Sequence, residues 1–412
     1  MNSISDAFIR AIPKSELHVH LDGSIRLNTL IDLARSRNIS LPSFTETGLK
    51  ELVFKTQYRN LVEYLEGFAY TVAVMQDEES IERIAFELAE DCWNEGIRYL
   101  EVRFAPQLHV SRDLSIEQIL CAVNRGLNRL ATRVNATPAI MNAEEPAFHY
   151  GIICCAMRMF SASFSDFFKQ FSEVHRFSST KRLRDLASQE LALAVVDIRD
   201  RLGIPIVGFD LAGKEEGYPA EDHIDAFRIA HRHFLKKTVH AGEAYGPESI
   251  FQAITDLYAD RIGHGYHLYS QHLIRNPAIQ SPDAYIEKLA QYIADRRITL
   301  EVCLTSNAQT MPDLKDWGSH TFGKFLAANL SVTLCTDNRT VSNTDLSREI
   351  ALAVKSFNLT PRKLKNIVIY GFKRSFFPGS YAEKRKYVRQ VSEYYEKLER
   401  AENARLETTH SV

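Results

Sequence analysis

The sequence predicts an α/β protein: a (β/α)8 TIM barrel with helical insertions. Three observations predict it. Eight short apolar, β-branched runs recur along the chain, and longer helical patterns separate them. Most of the runs are nearly continuous rather than alternating, as strands covered on both faces must be. The length, 412 residues with 45% apolar and 25% charged side chains, suits one barrel with a packed core.

In chain order the runs are 16–22 (ELHVHLD), 98–106 (RYLEVRFAP), 150–157 (YGIICCAM), 204–213 (IPIVGFDLAG), 237–243 (KTVHAGE), 260–265 (DRIGHG), 298–307 (ITLEVCLTSN) and 331–338 (SVTLCTDN). Segments 80–96 and 248–259 show the helical pattern between them. A doubly wound open sheet would place a glycine-rich turn after its first strand. The first run here leads into HVHLDG, which has none. Residues 159–188 carry more Phe, Ser and Arg than a minimal crossover helix needs and read as an insertion. Residues 380–412 read as a charged terminal helix whose polar end, NARLETTHSV, is expected to fray. No repeat, low-complexity block or linker divides the chain, so residues 1–412 are expected to form one domain.

Composition excludes several classes of partner. The formal net charge of −2 gives no basis for a nucleic-acid or anionic-membrane surface. No run approaches the roughly 18–20 apolar residues that span a bilayer. The first residues lack the apolar stretch of a secretory signal. Six cysteines with no CxxC spacing point to a reducing, cytoplasmic setting without a disulfide framework.

Each run ends in polar or ionisable residues, and in a barrel those ends converge on one mouth. His18 and His20 stand two apart, so on a strand they share a face and can grip one ion. Alone, that pair describes two buried, hydrogen-bonded histidines equally well. His240 ends the fifth run and Asp337 the eighth. Three histidines and one carboxylate make a catalytic zinc sphere with room for water; singly, they read as a core histidine and a capping acid. Glu243 follows His240 by three residues and can shuttle protons near a metal, or it can face a helix dipole. His264, between two glycines, can orient an attacking water or be a loop histidine. Leu61, Tyr64, Leu65 and Phe68 share one helical face, suited to core packing or to covering a substrate. The HxE and PCxxC signature of cytidine-type deaminases is absent, as is a GxSxG elbow.

Six segments taken together, PKSELHVHLDGS (13–24), GFDLAGKE (208–215), VHAGE (239–243), RIGHG (261–265), EVCLTSN (301–307) and TDN (336–338), resemble the adenosine deaminase family of the amidohydrolase superfamily. The resemblance implies one zinc ion per chain, held by His18, His20, His240 and Asp337. It implies that Glu243 protonates the purine ring nitrogen beside the reacting carbon, and that His264 and Asp337 orient the attacking water. Gly213 and Asn338 would contact the purine, Asp22 would meet the ribose 5′-hydroxyl, and His20 would also contact the substrate. Leu61, Tyr64, Leu65 and Phe68 would form a gate over the pocket. The partner implied is a small-molecule purine nucleoside, adenosine or 2′-deoxyadenosine, converted to the inosine form with release of ammonia. A carboxyl in the role of Glu243 needs a raised pKa.

The chain departs from the family pattern at Asn338, where many relatives carry a second Asp, and at Arg339, where they carry proline. Purine N7 is an acceptor, and an Asn amide donates to it without being protonated. Some bacterial relatives with this Asn act on adenosine; others act on adenine nucleosides with extended 5′ groups, such as aminodeoxyfutalosine. Relatives that deaminate free adenine usually carry Glu in the place of Asp22, and an Asp there leaves room for ribose. A non-catalytic nucleoside-binding barrel is the rival of another class. It would be expected to have lost one of His18, His20, His240, Asp337, Glu243 or His264, and all six are present.

Overall fold

The computed structural model describes residues 4–410 apart from 312 and 315, with side chains described to 407. Eight strands, β1 (Lys14–His20), β2 (Ile97–Phe104), β3 (His149–Met157), β4 (Ile206–Ala212), β5 (Lys236–Ala241), β6 (Arg261–His264), β7 (Thr299–Val302) and β8 (Val332–Leu334), follow one another around a single sheet. Every neighbouring pair is parallel. The sheet closes on itself where Val19 bridges Asp337. There the His20 amide donates to the Asp337 carbonyl (2.7 Å), and the Asp337 amide donates to the His18 carbonyl (2.9 Å). The (β/α)8 barrel expected from the sequence is the fold observed, and its seam is made by three of the residues expected to carry the chemistry.

One expected strand is only half a strand. Of residues 298–307, β7 uses the apolar, β-branched part, and Leu304–Thr310 (LTSNAQT) is a helix. Its polar side chains pack poorly on a pleat. The buried Glu349 carboxylate takes the Thr305 amide at the helix start (3.1 Å), a donor that a helix leaves free. Segment 159–188 holds the helix Asp166–Val174, capped by Ser165, and then the first turns of the crossover helix Thr180–Leu202. The terminal helix runs Tyr381–His410, so most of the expected polar end is helical, and its last two residues lie outside the described residues. Tyr387 ties that helix to the barrel by donating to the Arg98 carbonyl (2.7 Å). All six cysteines are free thiols. Among the described residues, no helix is long and apolar enough to cross a membrane.

The outer faces of the strands pack apolar residues against the helices, as in Leu17, Val19, Val102, Phe209 and Val239, all fully buried. The interior departs from the branched aliphatic layers usual in such barrels. Glu101, Arg103, Asp210, Arg261 and Glu301 are all buried there. Arg103 donates to Asp210 (3.0 Å) and Glu301 (2.8 Å), and Arg261 donates to Glu301 (2.6 Å) and to Glu101. Burial alone would raise the Glu301 carboxyl, but Arg103 and Arg261 outweigh it and hold it well below the usual range. Breaking such a set by removing one charge leaves the rest uncompensated. Arg103→Met is therefore expected to destabilise the metal-free protein by about 3–5 kcal/mol in urea unfolding; a loss below about 1 kcal/mol would contradict the network's role.

Candidate active site

The mouth of the barrel opens into a cavity of about 820 Å³, lined by His20, Asp22, Gly213, His240, Glu243, His264, Asp337 and Asn338 together with Leu61, Tyr64, Leu65 and Phe68. His18 lies fully buried just beneath, its Nε2 3.3 Å from Asp337 Oδ1. The structure thus brings every residue singled out in the sequence to one place.

Five side chains converge tightly. The ring centroids of His18 and His240 are 4.6 Å apart, and those of His18 and His264 4.8 Å. His20 Nε2 lies 3.1 Å from His240 Nε2 and 3.5 Å from Asp337 Oδ1. His18, His240, His264 and Asp337 all offer ligand atoms within 4.8 Å of one another. Five potential donors exceed the four of a closed tetrahedral sphere, and the outer hydrogen bonds distinguish them. His18 Nδ1 faces the Glu301 carboxylate (2.9 Å) and His240 Nδ1 faces Asp210 (3.1 Å). An ionised carboxylate only accepts, so both rings carry their proton on Nδ1 and aim an Nε2 lone pair at the cluster. His20 Nδ1 stands 4.0 Å from Asp22 Oδ1, beyond hydrogen-bond reach, so no carboxylate fixes its tautomer in this way. His264 differs: the Asn307 amide, assigned with Nδ2 toward the ring, meets its Nδ1 at 3.1 Å. That nitrogen then accepts, and the proton sits on Nε2, which makes His264 a donor to the cavity.

The donor set fits a cation on the structure's own evidence. His18 Nε2 is buried without a hydrogen-bond partner, and two imidazole nitrogens face each other at 3.1 Å. Such an arrangement is costly unless an ion fills it. Burial holds His20 well below its ordinary pKa, keeping it neutral as a ligand must be.

Glu243 is buried, its carboxylate 3.6 Å from His264 Nε2. Burial first, then the nearby Asp337 and Glu215 charges, push its pKa well above the usual range, so it holds its proton. Asp337 and His264 both adopt the left-handed conformation, with φ of 62° and 65°. Non-glycine residues take it sparingly, and such strain clusters at working sites. Ser306 donates to Asp337 Oδ2 (2.6 Å) and fixes the carboxylate. Gly213, at φ 96°, turns the chain off the end of β4 at the cavity wall.

Asn338 donates through Nδ2 to the Tyr64 hydroxyl (2.8 Å), which also pairs with Ser342 (2.8 Å). One amide hydrogen therefore remains for a ligand, and the helix Leu61–Glu66 is latched to the loop after β8. Core packing and cavity lining coincide here: on that helix Tyr64 is fully buried and Leu65 half-buried against the opening, while Phe68, expected on the same helical face, starts the next helix, Phe68–Ala73, beyond Gly67 and is half-buried there. Met159, Ala162 and Phe164 of the 159–188 segment form part of the opposite wall.

Sequence reading assigned no role to Asp210, Glu301, Ser306, Asn307, Glu215 or Arg158. The available signal was a charge inside an otherwise apolar strand, as at Asp210 and Glu301.

The fold and site define a metal-dependent barrel hydrolase. A family model described as Adenosine deaminase matches residues 13–394. The chain belongs to the adenosine deaminase family, hydrolases acting on C–N bonds of cyclic amidines. It is 34% identical over 367 residues to an adenosine deaminase of Vibrio atlanticus, covering 89% of this chain and 94% of that protein. It is 33% identical over 369 residues to a probable adenosine deaminase of Dictyostelium discoideum; the match takes 89% of this chain but only 41% of that longer protein. Among solved structures, an Arabidopsis N6-mAMP deaminase superposes with a TM-score of 0.71 at 25% identity, covering 94% of this chain and 99% of that one. An amidohydrolase from Burkholderia ambifaria, solved with bound Zn, gives a TM-score of 0.73 at 20% identity, covering 98% and 96%.

The helix that carries Ser306 and Asn307 is seated by Glu349, which accepts from Thr305 and from Thr344 Oγ1 (2.7 Å). Burial raises the Glu349 pKa from 4.5 to about 7. The folded state thus binds this proton more tightly than the unfolded chain. Its contribution to stability is complete below about pH 4.5 and is lost as pH rises through about 7. Glu349→Gln is expected to flatten the fall in urea-unfolding stability between pH 5 and 8; an unchanged slope would contradict this.

Proposed function

We propose that this chain catalyses the hydrolytic deamination of adenosine and 2′-deoxyadenosine, water replacing the amino group at C6 and ammonia leaving. The observation that carries the reading is the meeting, at one cavity, of imidazole Nε2 atoms set by buried carboxylates with the buried Glu243 carboxyl, 3.6 Å from His264 Nε2. His18, His20, His240 and Asp337 would hold one zinc ion per chain, an imidazole-rich set that zinc suits. A zinc ion there supplies a water whose pKa is lowered from about 15.7 to about 7.

The chain's own residues do the rest. Asp337 and the Nε2–H of His264 hold the attacking water toward C6. Protonated Glu243 donates to the ring nitrogen beside C6 and so neutralises charge developing on the purine. Gly213 and the free amide hydrogen of Asn338 orient the base. His20 and Asp22 meet the ribose; Asp22 Oδ1 is buried without a partner and awaits a hydroxyl. Leu61, Tyr64, Leu65 and Phe68 cover the base and exclude bulk water.

The cavity lining supports an order of preference among substrates. Among the described residues the lining carries the carboxylates of Glu66, Asp166 and Asp337 and one lysine or arginine, Lys214. A 5′-phosphate would find little compensation there, which favours nucleosides over nucleotides. A free base would leave most of the 820 Å³ unfilled. The partner on this reading is a small purine nucleoside, and a cavity of about 820 Å³ also has room for 5′-extended forms. The free thiols fit a cytoplasmic location.

The ultraviolet change from adenine to hypoxanthine chromophore tests the reading on zinc-loaded protein. Adenosine and 2′-deoxyadenosine should turn over with a higher kcat/KM than AMP or adenine, and Glu243→Gln should lose about 100-fold or more. No turnover of any adenine compound with metal bound, or a preference for AMP, would overturn it.

A further inference from the structure

The turn that carries Glu243 has no regular structure of its own. β5 ends at Ala241 and the next helix begins at Pro247. Gly242, at φ 69°, reverses the chain, and a Cβ there would come within 2.6 Å of Ile250. Beyond it, four consecutive backbone amides point at one buried carboxylate. Gly242, Glu243, Ala244 and Tyr245 donate to Glu215 at 2.8, 3.0, 2.7 and 2.9 Å, and Ser249 Oγ donates as well. Successive amides curled in this way form an anion-binding nest. Here the anion is the protein's own side chain, from the segment that follows β4.

A second buried charge holds the other end of the turn. Arg158, at the end of β3, donates to the His240 carbonyl (2.5 Å) and to the Tyr218 carbonyl (2.7 Å). Its guanidinium stands 4.0 Å from Glu215. Glu215 and Arg158 are thus pinned to neighbouring strands, one gripping the amides after β5 and the other a carbonyl within it. Neither side chain lines the cavity.

We propose that Glu215, seated against Arg158, is a positioning residue for the reaction: its carboxylate locks the Gly242–Tyr245 turn so that the Glu243 carboxyl meets the purine ring nitrogen in one fixed orientation. This rests on the reading of Glu243 given above. A glutamine at 215 keeps the shape but offers one acceptor oxygen in place of two, so either the two donors on Oε1 or the three on Oε2 lose their partner. The turn then samples several conformations while the strands beneath it stay in place.

The test is Glu215→Gln in the zinc-loaded enzyme, with the exposed neighbour Glu216→Gln as control. Amide hydrogen exchange at 242–245 should rise in Glu215→Gln, and bound zinc should stay at the wild-type level. With adenosine, kcat should fall about 10- to 100-fold with little change in KM. Inhibition by 1-deazaadenosine, which lacks the ring nitrogen that Glu243 contacts, should be unchanged. Ser249→Ala, which removes one donor of the five, should give a smaller fall of the same kind and serves if Glu215→Gln does not fold. Wild-type exchange and kcat in these variants would overturn the proposal. So would equal losses of kcat, zinc and 1-deazaadenosine affinity, which mark a general structural role. A wild-type enzyme that turns over no adenine nucleoside would defeat the reading of Glu243, while the exchange result would still report whether Glu215 holds the turn.

Discussion

Glu301 accepts four hydrogen bonds inside the barrel, from Arg103, Arg261, Thr238 and His18. A carboxylate with no solvent contact survives ionised only in such company. Its ionisation then dictates the rest. A charged Glu301 fixes the proton of His18 on Nδ1, and Asp210, held by the same Arg103, does this for His240. Arg103 therefore sets two ring tautomers from one position on β2. The electrostatics of the barrel floor and the coordination chemistry at its mouth are one construction, and apolar replacement of the floor would leave the rings free to turn.

The mouth adds strain to that foundation. The eighth strand stops at Leu334, and the barrel closes through Asp337, whose left-handed backbone turns its carboxylate toward the histidines while its amide and carbonyl complete the seam. His264 adopts the same conformation at the end of β6. Closing the sheet and presenting the cluster are thus a single act. The helix after β7 then supports both residues, Ser306 holding Asp337 and Asn307 holding His264. The tautomer that this gives His264 separates it from His18 and His240, although the rings crowd together.

Much of this was legible in the sequence because strand ends in a barrel share one address. HxH on β1, HAGE at the end of β5, GHG at the end of β6 and TDN after β8 could be assembled without coordinates. What could not be read was whatever depends on partners distant in sequence. Arg103, Asp210 and Glu301 look like isolated charges in apolar strands until closure brings them together. Glu215 reads as one acid among several in DLAGKEE, and only the positive φ of Gly242 turns four amides toward it. LTSN reads as the end of a strand because its apolar lead-in is continuous with β7, whereas a buried carboxylate from residue 349 starts a helix there. The latch from Asn338 to Tyr64 joins two segments that sequence reading treated separately.

In the proposed centre His18, His20, His240 and Asp337 hold one ion, and deamination of adenosine requires it. Titrating chelator-treated protein with zinc while following adenosine deamination and bound metal together tests it most directly. The account predicts activity that rises from near zero and breaks at one zinc per chain. Full turnover in protein shown to contain no metal would contradict it.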